Sequence, residues 1–356
     1  QCTLTVPTGA GTLERAQADA RKALGSGCSH VLIQLHPGRH FLQHGRALQL
    51  TKEDSRVTWS GDGAIVSGGT PLSNWKASGG LWTQPWKGEH PPHQLFVDGR
   101  RSHRARSPAN SSAYHTIERA IFADGATSSA VGLVYSQGQS IPALGPDDDA
   151  VTLRYFSSYY SSRVAVARIF PSNRTILFYA PSYWQDIFVL SGAKSRFFLE
   201  GCRASLSAGQ WWSGGGEIVY QPLPAESLSP LPDMVATTGD GSIETAELLH
   251  FEKVKNVTVR GISFEHADGD RPIINDDDQA ATHLATAALH ISSASSGITI
   301  ENCSVSHVGS FGVWAHGGSS DVLITGCTIG DLGAGGVRFG DGSAGGPAAP
   351  GHNMRL

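Results

Sequence analysis

Between Gly297 and Phe339 the apolar and polar positions of the chain repeat. Ile298, Ile300, Cys303 and Val305 alternate with polar neighbours, Val322, Ile324, Cys327 and Ile329 do the same, and the period from Cys303 to Cys327 is 24 residues. Asn302 breaks the alternation in one copy and Gly326 in the other, which predicts two short strands around a corner. A third strand follows in each, Gly312-Val313-Trp314-Ala315 and Gly336-Val337-Arg338-Phe339. Three short strands per repeat, in the same phase, predict an all-β solenoid whose turns stack in parallel: a right-handed parallel β-helix. An earlier turn runs from Asn256 to Ala267, with Ala288–Ile291 as its third strand. From Val257 to Ile298 is 41 residues, so 17 extra residues bulge out within Asp268–Ala287. This insertion carries Asp268, Asp270, Asp276, Asp277 and Asp278, and a polar insertion on one side of a coil is where repeat proteins place a binding face.

Upstream, Thr12–Gly25 reads as a helix with a Thr N-cap, an acidic first turn, a basic last turn and a terminal Gly. Leu13, Ala16, Ala20 and Leu24 share one face, which predicts a helix capping the N-terminal end of the solenoid, where strands would otherwise be unpaired. Val31–Gly38, Ala47–Leu50 and Val57–Gly61 read as the first turns. From about Trp82 to Asp233 the rhythm is lost, aromatics become dense, and alternation such as Arg163–Ile169 predicts antiparallel strands. Ser213–Gly216 reads as a hairpin turn. The expected organisation is therefore a cap and first turns over 1–81, an inserted antiparallel β-rich subdomain over 82–233, and further turns over 234–356. The aromatics of the insertion are read as the core of a small sandwich before a sugar platform.

Composition narrows the partners. With 27 Lys+Arg against 31 Asp+Glu, a net charge of −4 argues against nucleic acid or an anionic membrane surface. No apolar run approaches the ~20 residues that span a bilayer. A first residue of Gln is what a secreted chain shows after removal of its signal peptide, and a secreted, extracellular protein is expected. Cys2 and Cys28 flank the first strand–helix unit and are expected to form a disulfide in that compartment, whereas Cys303 and Cys327 are read as small core fillers. Sequons at Asn110, Asn173 and Asn256 are candidate glycosylation sites; Asn302 is set aside because the stacking assigns it to an inner corner.

Several stretches carry a resemblance. Pro37–His40, Val66–Gly69, Gln94–Arg106, Gly261–Ala267 and Gly330–Arg338 are similar to segments of secreted right-handed β-helix proteins of the glycoside hydrolase family 141 type, in the pectate-lyase-like superfamily. The resemblance implies a hydrolase acting on fucose- or xylose-containing polysaccharide through a pair of carboxylates. It also implies that the implicated acids lie on later turns than this chain contains, since Leu356 falls in mid-turn.

Outward positions of the stacked turns form two columns, His266/His307/Asp331 and His290/Trp314/Arg338. Groups two turns apart on parallel strands lie about 10 Å apart, and inverting glycosidases hold their carboxyls ~6.5–9.5 Å apart. Asp331 with Asp278, or with Glu265, is the candidate acid/base pair, against the alternative that Asp331 caps a turn through backbone amides. His307, Trp314, Arg338 and His283 are the candidate sugar contacts, an indole face and a guanidinium being suited to a ring and its hydroxyls, with cover of Trp314 and Arg338 by the insertion as the equal alternative. No cofactor is expected, although Asp276, Asp277 and Asp278 could ligate Ca²⁺ as in polysaccharide lyases on such folds. A lyase reading ranks third, because the turns offer few basic residues beside that loop. A non-catalytic extracellular scaffold or glycan-binding protein, self-assembling through an open last turn, is the alternative to a hydrolase.

Overall fold

The computed structural model describes residues 1–356 except 89, 124–129, 149, 157–160, 183–194, 239–242, 270–274, 278–285 and 341–351. Two compact units divide it, one of Gln1–Pro71, Val235–Asp270 and Leu284–Leu356, the other of Leu72–Met234 and Arg271–His283.

The first unit is built from parallel ladders. Cys2–Val6, Val31–Leu35, Val57–Ser67, Lys255–Glu265, Ser296–Glu301, Ser320–Thr325 and His352–Arg355 pair successively in one sheet. The ladder passes from Val57–Ser67 directly to Lys255–Glu265, placing Trp59 beside Val259 and Val66 beside Phe264. A second sheet runs Leu48–Leu50, Leu249–Glu252, Ala287–Ser292, Phe311–Ala315 and Val337–Phe339, again parallel throughout. The 24-residue phase is realised as register: Ile298 pairs with Val322, Ile300 with Ile324, Val305 with Ile329, and Val313 with Val337. Cys303 and Cys327 occupy the same inner slot as free thiols. Burial pushes the Cys303 thiol up to about 11, so it behaves as a small apolar group.

The corners depend on left-handed backbone at matched positions. Gly261, Asn302 and Gly326 have φ of 66°, 52° and 61°, a region that Gly and Asn enter at least cost. A Cβ at Gly326 would lie 2.4 Å from Asn302 Oδ1, so the Asn of one turn lies over the Gly of the next. Asn302 is therefore exposed at an outer corner, contrary to the inner placement expected from the alternation. Asn110, Asn173 and Asn256 are exposed as well.

The helix Thr12–Gly25 buries Leu13, Ala16 and Ala20 in the same core as Val6, Val31, Ile33 and Leu35. Its start differs from the expected cap. Gly11 in the left-handed region begins it, and the Thr12 hydroxyl donates to the Gly9 carbonyl instead of capping the helix. Gln17 and Arg21 both donate to the buried Asp54, tying the helix to the turn after Leu50. Cys2 and Cys28 are joined in a disulfide across a sequence separation of 26. Among the described residues no helix is long and apolar enough to cross a membrane.

The second unit is dominated by antiparallel pairings. One of its sheets contains His115–Phe122, Ala130–Tyr135, Thr175–Phe178, Ser161–Phe170, Thr152–Phe156 and Arg196–Glu200, over a core of Leu133, Tyr135, Leu153, Tyr155, Val164 and Phe197. In its other sheet Gln210–Gly214 and Glu217–Tyr220 form a hairpin closed by Gly215 and Gly216, both with positive φ as a tight two-residue turn requires. Trp211, Trp212 and Tyr220 are fully buried, so these aromatics are core. Asn275–Asp277, a described stretch within the acidic insertion, pairs with Ser162–Val164 in this unit.

Three tests follow from the packing. Val305 is 1% exposed between Phe264 and Ile329, so Val305→Asp places an unpaired carboxylate in the ladder. Loss of folding of the first unit, read by circular dichroism and limited proteolysis, is expected. Replacing Cys28 by Ser should cost about 2–4 kcal/mol, read as a lower denaturant midpoint, because the unfolded chain regains the freedom of the closed loop. His115 is held neutral, its pKa lowered to about 4, chiefly by burial and also by the nearby Arg106 guanidinium. Below its unfolded value of about 6.5 the unfolded chain takes up a proton that the native site refuses, so stability falls as pH falls. The loss should begin near pH 6.5, level off below pH 4, and reach about 3 kcal/mol. Chemical denaturation of His115→Gln across that window should show a flatter profile than the parent.

Candidate functional site

Both outward columns exist in the first unit, and they differ in chemistry. One follows the corner after the main ladder. His266, His307 and Asp331 occupy matched corner positions with φ of 63°, 59° and 53°. His266 and His307 stack with centroids 5.6 Å apart, and the His307 Nδ1–H donates to Asp331 Oδ2 at 2.6 Å. His266 is buried and its Nδ1 lies 3.0 Å from Ser67 Oγ, whereas the Asp331 side chain is 41% exposed. Glu265 sits one residue before this column, 19% exposed, with Arg39 at 3.9 Å. Glu265 pairs with Ser306, which is followed one turn later by Gly330, so the two carboxylate-bearing residues stand two strand spacings apart along the stack, about 10 Å between backbones.

The second column lies on the other sheet, where the parallel register puts His250 beside His290, His290 beside Trp314, and Trp314 beside Arg338. Trp314 stacks on His290 at 5.3 Å and on His316 at 4.1 Å, and the Arg338 guanidinium lies 4.3 Å over its ring from the next strand. Its indole N–H donates to the Gly340 carbonyl. The indole is thus 8% exposed, with a partner on each face, which is a packing role.

At the base of this column lies a cluster that the sequence reading did not pick out. Glu247, fully buried, accepts hydrogen bonds from His250 Nδ1 at 2.8 Å, from His290 Nδ1 at 2.5 Å, and from the Thr286 hydroxyl. Burial works to raise its pKa, but the hydrogen bonds from His250 and His290 outweigh it and hold the carboxyl down at about 2. The outer nitrogens of the two imidazoles are also engaged, His250 Nε2 with Ser292 Oγ at 2.8 Å and His290 Nε2 with His316 Nε2 at 2.6 Å. Among the described residues Glu247, His250 and His290 form the group able to hold a metal ion, with one ligand atom from each within 4.8 Å of the others. The signal for it was the shared apolar–His–apolar pattern of Leu249-His250-Phe251 and Leu289-His290-Ile291, hidden by the insertion that breaks the period between them.

Of the expected residues, the structure brings Asp331, His307 and Glu265 to one corner and Trp314 and Arg338 to one stack. Asp278 and His283 lie outside the described residues. Asp276 and Asp277 are described as strand backbone only.

The sequence model of a family described as "Right handed beta helix region" matches residues 245–348. Among solved structures, one titled "Glycoside hydrolase" superposes with a TM-score of 0.76 at 16% identity, covering 98% of this chain and 69% of that one. The chain shares its fold with a glycoside hydrolase. A second structure, titled "The complex structure of XylC with xylose", aligns with a TM-score of 0.38 at 8% identity, over 95% of this chain and 56% of that one. No curated protein sequence matches the chain.

Proposed function

We propose that the chain is a secreted, carbohydrate-active protein of the glycoside hydrolase family 141 type, a right-handed solenoid capped by its N-terminal helix, which cleaves fucose- or xylose-containing polysaccharide. The observation that carries this reading is the exposed Asp331 carboxylate, hydrogen-bonded to His307 and sharing an outer corner with Glu265, on a fold that a glycoside hydrolase also adopts.

Hydrolysis of a glycosidic bond by inversion needs one carboxyl to protonate the departing oxygen and one carboxylate to take a proton from the attacking water. Asp331 suits the second role, since the His307 N–H orients it while leaving it open to solvent. Glu265 and Asp278 are the candidates for the acid. His307 stands at the same corner as Asp331 and is the proposed sugar contact there; Arg338, on the neighbouring sheet, and His283 are proposed as further contacts. Trp314 supports Arg338 from within the stack. A calcium ion at Asp276, Asp277 and Asp278 would instead favour eliminative cleavage, recognised by unsaturated sugar products.

The test is turnover of fucosylated and xylose-based glycans by the parent and by Asp331→Asn, Glu265→Gln and Asp278→Asn. Asp331→Asn keeps shape and hydrogen bonding but removes the proton acceptor, and a fall of roughly 10²–10⁴-fold is expected. Parental turnover by Asp331→Asn removes Asp331 from the reaction. A parent inert on every such glycan, while still binding them, would establish the scaffold reading.

A further inference from the structure

We infer that Glu247, His250 and His290 form a binding site for one divalent transition-metal ion of the zinc type, held by the carboxylate and the two Nδ1 atoms. The inference does not rest on the hydrolase reading. It begins from the donor set. Two imidazoles and a carboxylate are borderline ligands suited to zinc and its neighbours, and three protein ligands leave a position for water. Here the three donors come from a short stretch, Glu247 to His250, and from His290 on the adjoining parallel strand, in direct register with His250. An ion would tie these two strands together on the face opposite their core side chains, Leu249, Phe251, Leu289 and Ile291.

The surroundings complete the case. At metal sites the non-ligating nitrogen of each histidine usually donates to an outer partner that fixes ring orientation, and ligating carboxylates are themselves hydrogen-bonded. Both conditions are met: Ser292 Oγ meets His250 Nε2, His316 Nε2 meets His290 Nε2, and the Thr286 hydroxyl meets the Glu247 carboxylate. The side chains are deeply placed, Glu247 at 0%, His290 at 8% and His250 at 20% exposure. Among the described residues no Arg or Lys pairs with Glu247, whose buried negative charge meets only two imidazoles and a hydroxyl. A divalent cation compensates that charge more fully than hydrogen bonds alone. Access is from the His250 side, the most exposed of the three.

The full chain, stripped with a chelator and dialysed, is titrated with zinc chloride and with cobalt chloride. Elemental analysis after gel filtration should find about one zinc per chain, and the melting temperature should rise with added zinc, because an ion that binds only the folded state stabilises it. Cobalt should give a visible ligand-field band. His250→Ala, at the most exposed position of the cluster, should lose both the stoichiometric ion and the band. Ser292→Ala, which touches no ligand atom, should weaken zinc binding by roughly tenfold. Parent protein that takes up no more zinc than His250→Ala, and whose melting temperature ignores zinc, overturns the proposal and leaves Glu247 as a hydrogen-bonded pin. Should His250→Ala fail to fold, the parent's own cobalt spectrum and zinc-dependent melting decide the question.

Discussion

Parallel register is the constraint on which the first unit depends. Once Ile300 lies on Ile324 and Val305 on Ile329, the ladder hydrogen bonds of each strand are made to its parallel neighbours, and each inner side chain must suit the one above and below it. The corners are then forced to recur at fixed positions, which is why left-handed backbone appears in matched sets such as Gly261/Asn302/Gly326. Alternation of Asn with Gly along such a set is steric: the Asn302 side chain occupies the space that a Cβ at position 326 would need. A core of Val, Ile, Leu and Phe follows from the inner slots, and the buried thiol of Cys303 follows the same apolar logic.

The same register also dictates where chemistry can gather. Outward side chains are brought into columns at a spacing of about 4.8 Å, close enough for rings to stack and for polar atoms to bond. His250, His290, Trp314 and Arg338 are one consequence, and His266, His307 and Asp331 another. The two columns diverge because one sits on a strand face and the other on a corner. On the strand face, rings cover each other and polar atoms are drawn inward toward Glu247; on the corner, the last member of the column stays in solvent.

That difference explains how much could be read from the sequence. Strand positions, register partners and both columns were legible because Gly297–Phe339 contains two unbroken periods. The Glu247 cluster was not, since His250 and His290 are separated by the acidic insertion and Glu247 precedes its strand, outside any repeat. For Trp314 periodicity gives direction and not cover, which left sugar contact and cover both open; Arg338 and the imidazoles of His290 and His316 take its faces. The helix start was misjudged for a local reason. Gly11 enters the left-handed region, leaving the Thr12 hydroxyl to satisfy Gly9 behind it.

The two carboxylates that anchor the columns cannot serve the same purpose. Glu247 has no exposed surface, accepts three hydrogen bonds and is held ionised, so a polysaccharide cannot reach it and it has no proton to give near neutral pH. General acid–base work requires a carboxyl within hydrogen-bond reach of the substrate, and that requirement excludes the buried cluster on geometry alone. Asp331 differs from it: one oxygen is oriented by His307 while the side chain remains two-fifths exposed. Of the two carboxylates, only the one at the corner is open to solvent. The buried end of the other column is left to hold adjoining strands, a task for which a shared cation is better suited than a proton-transfer group.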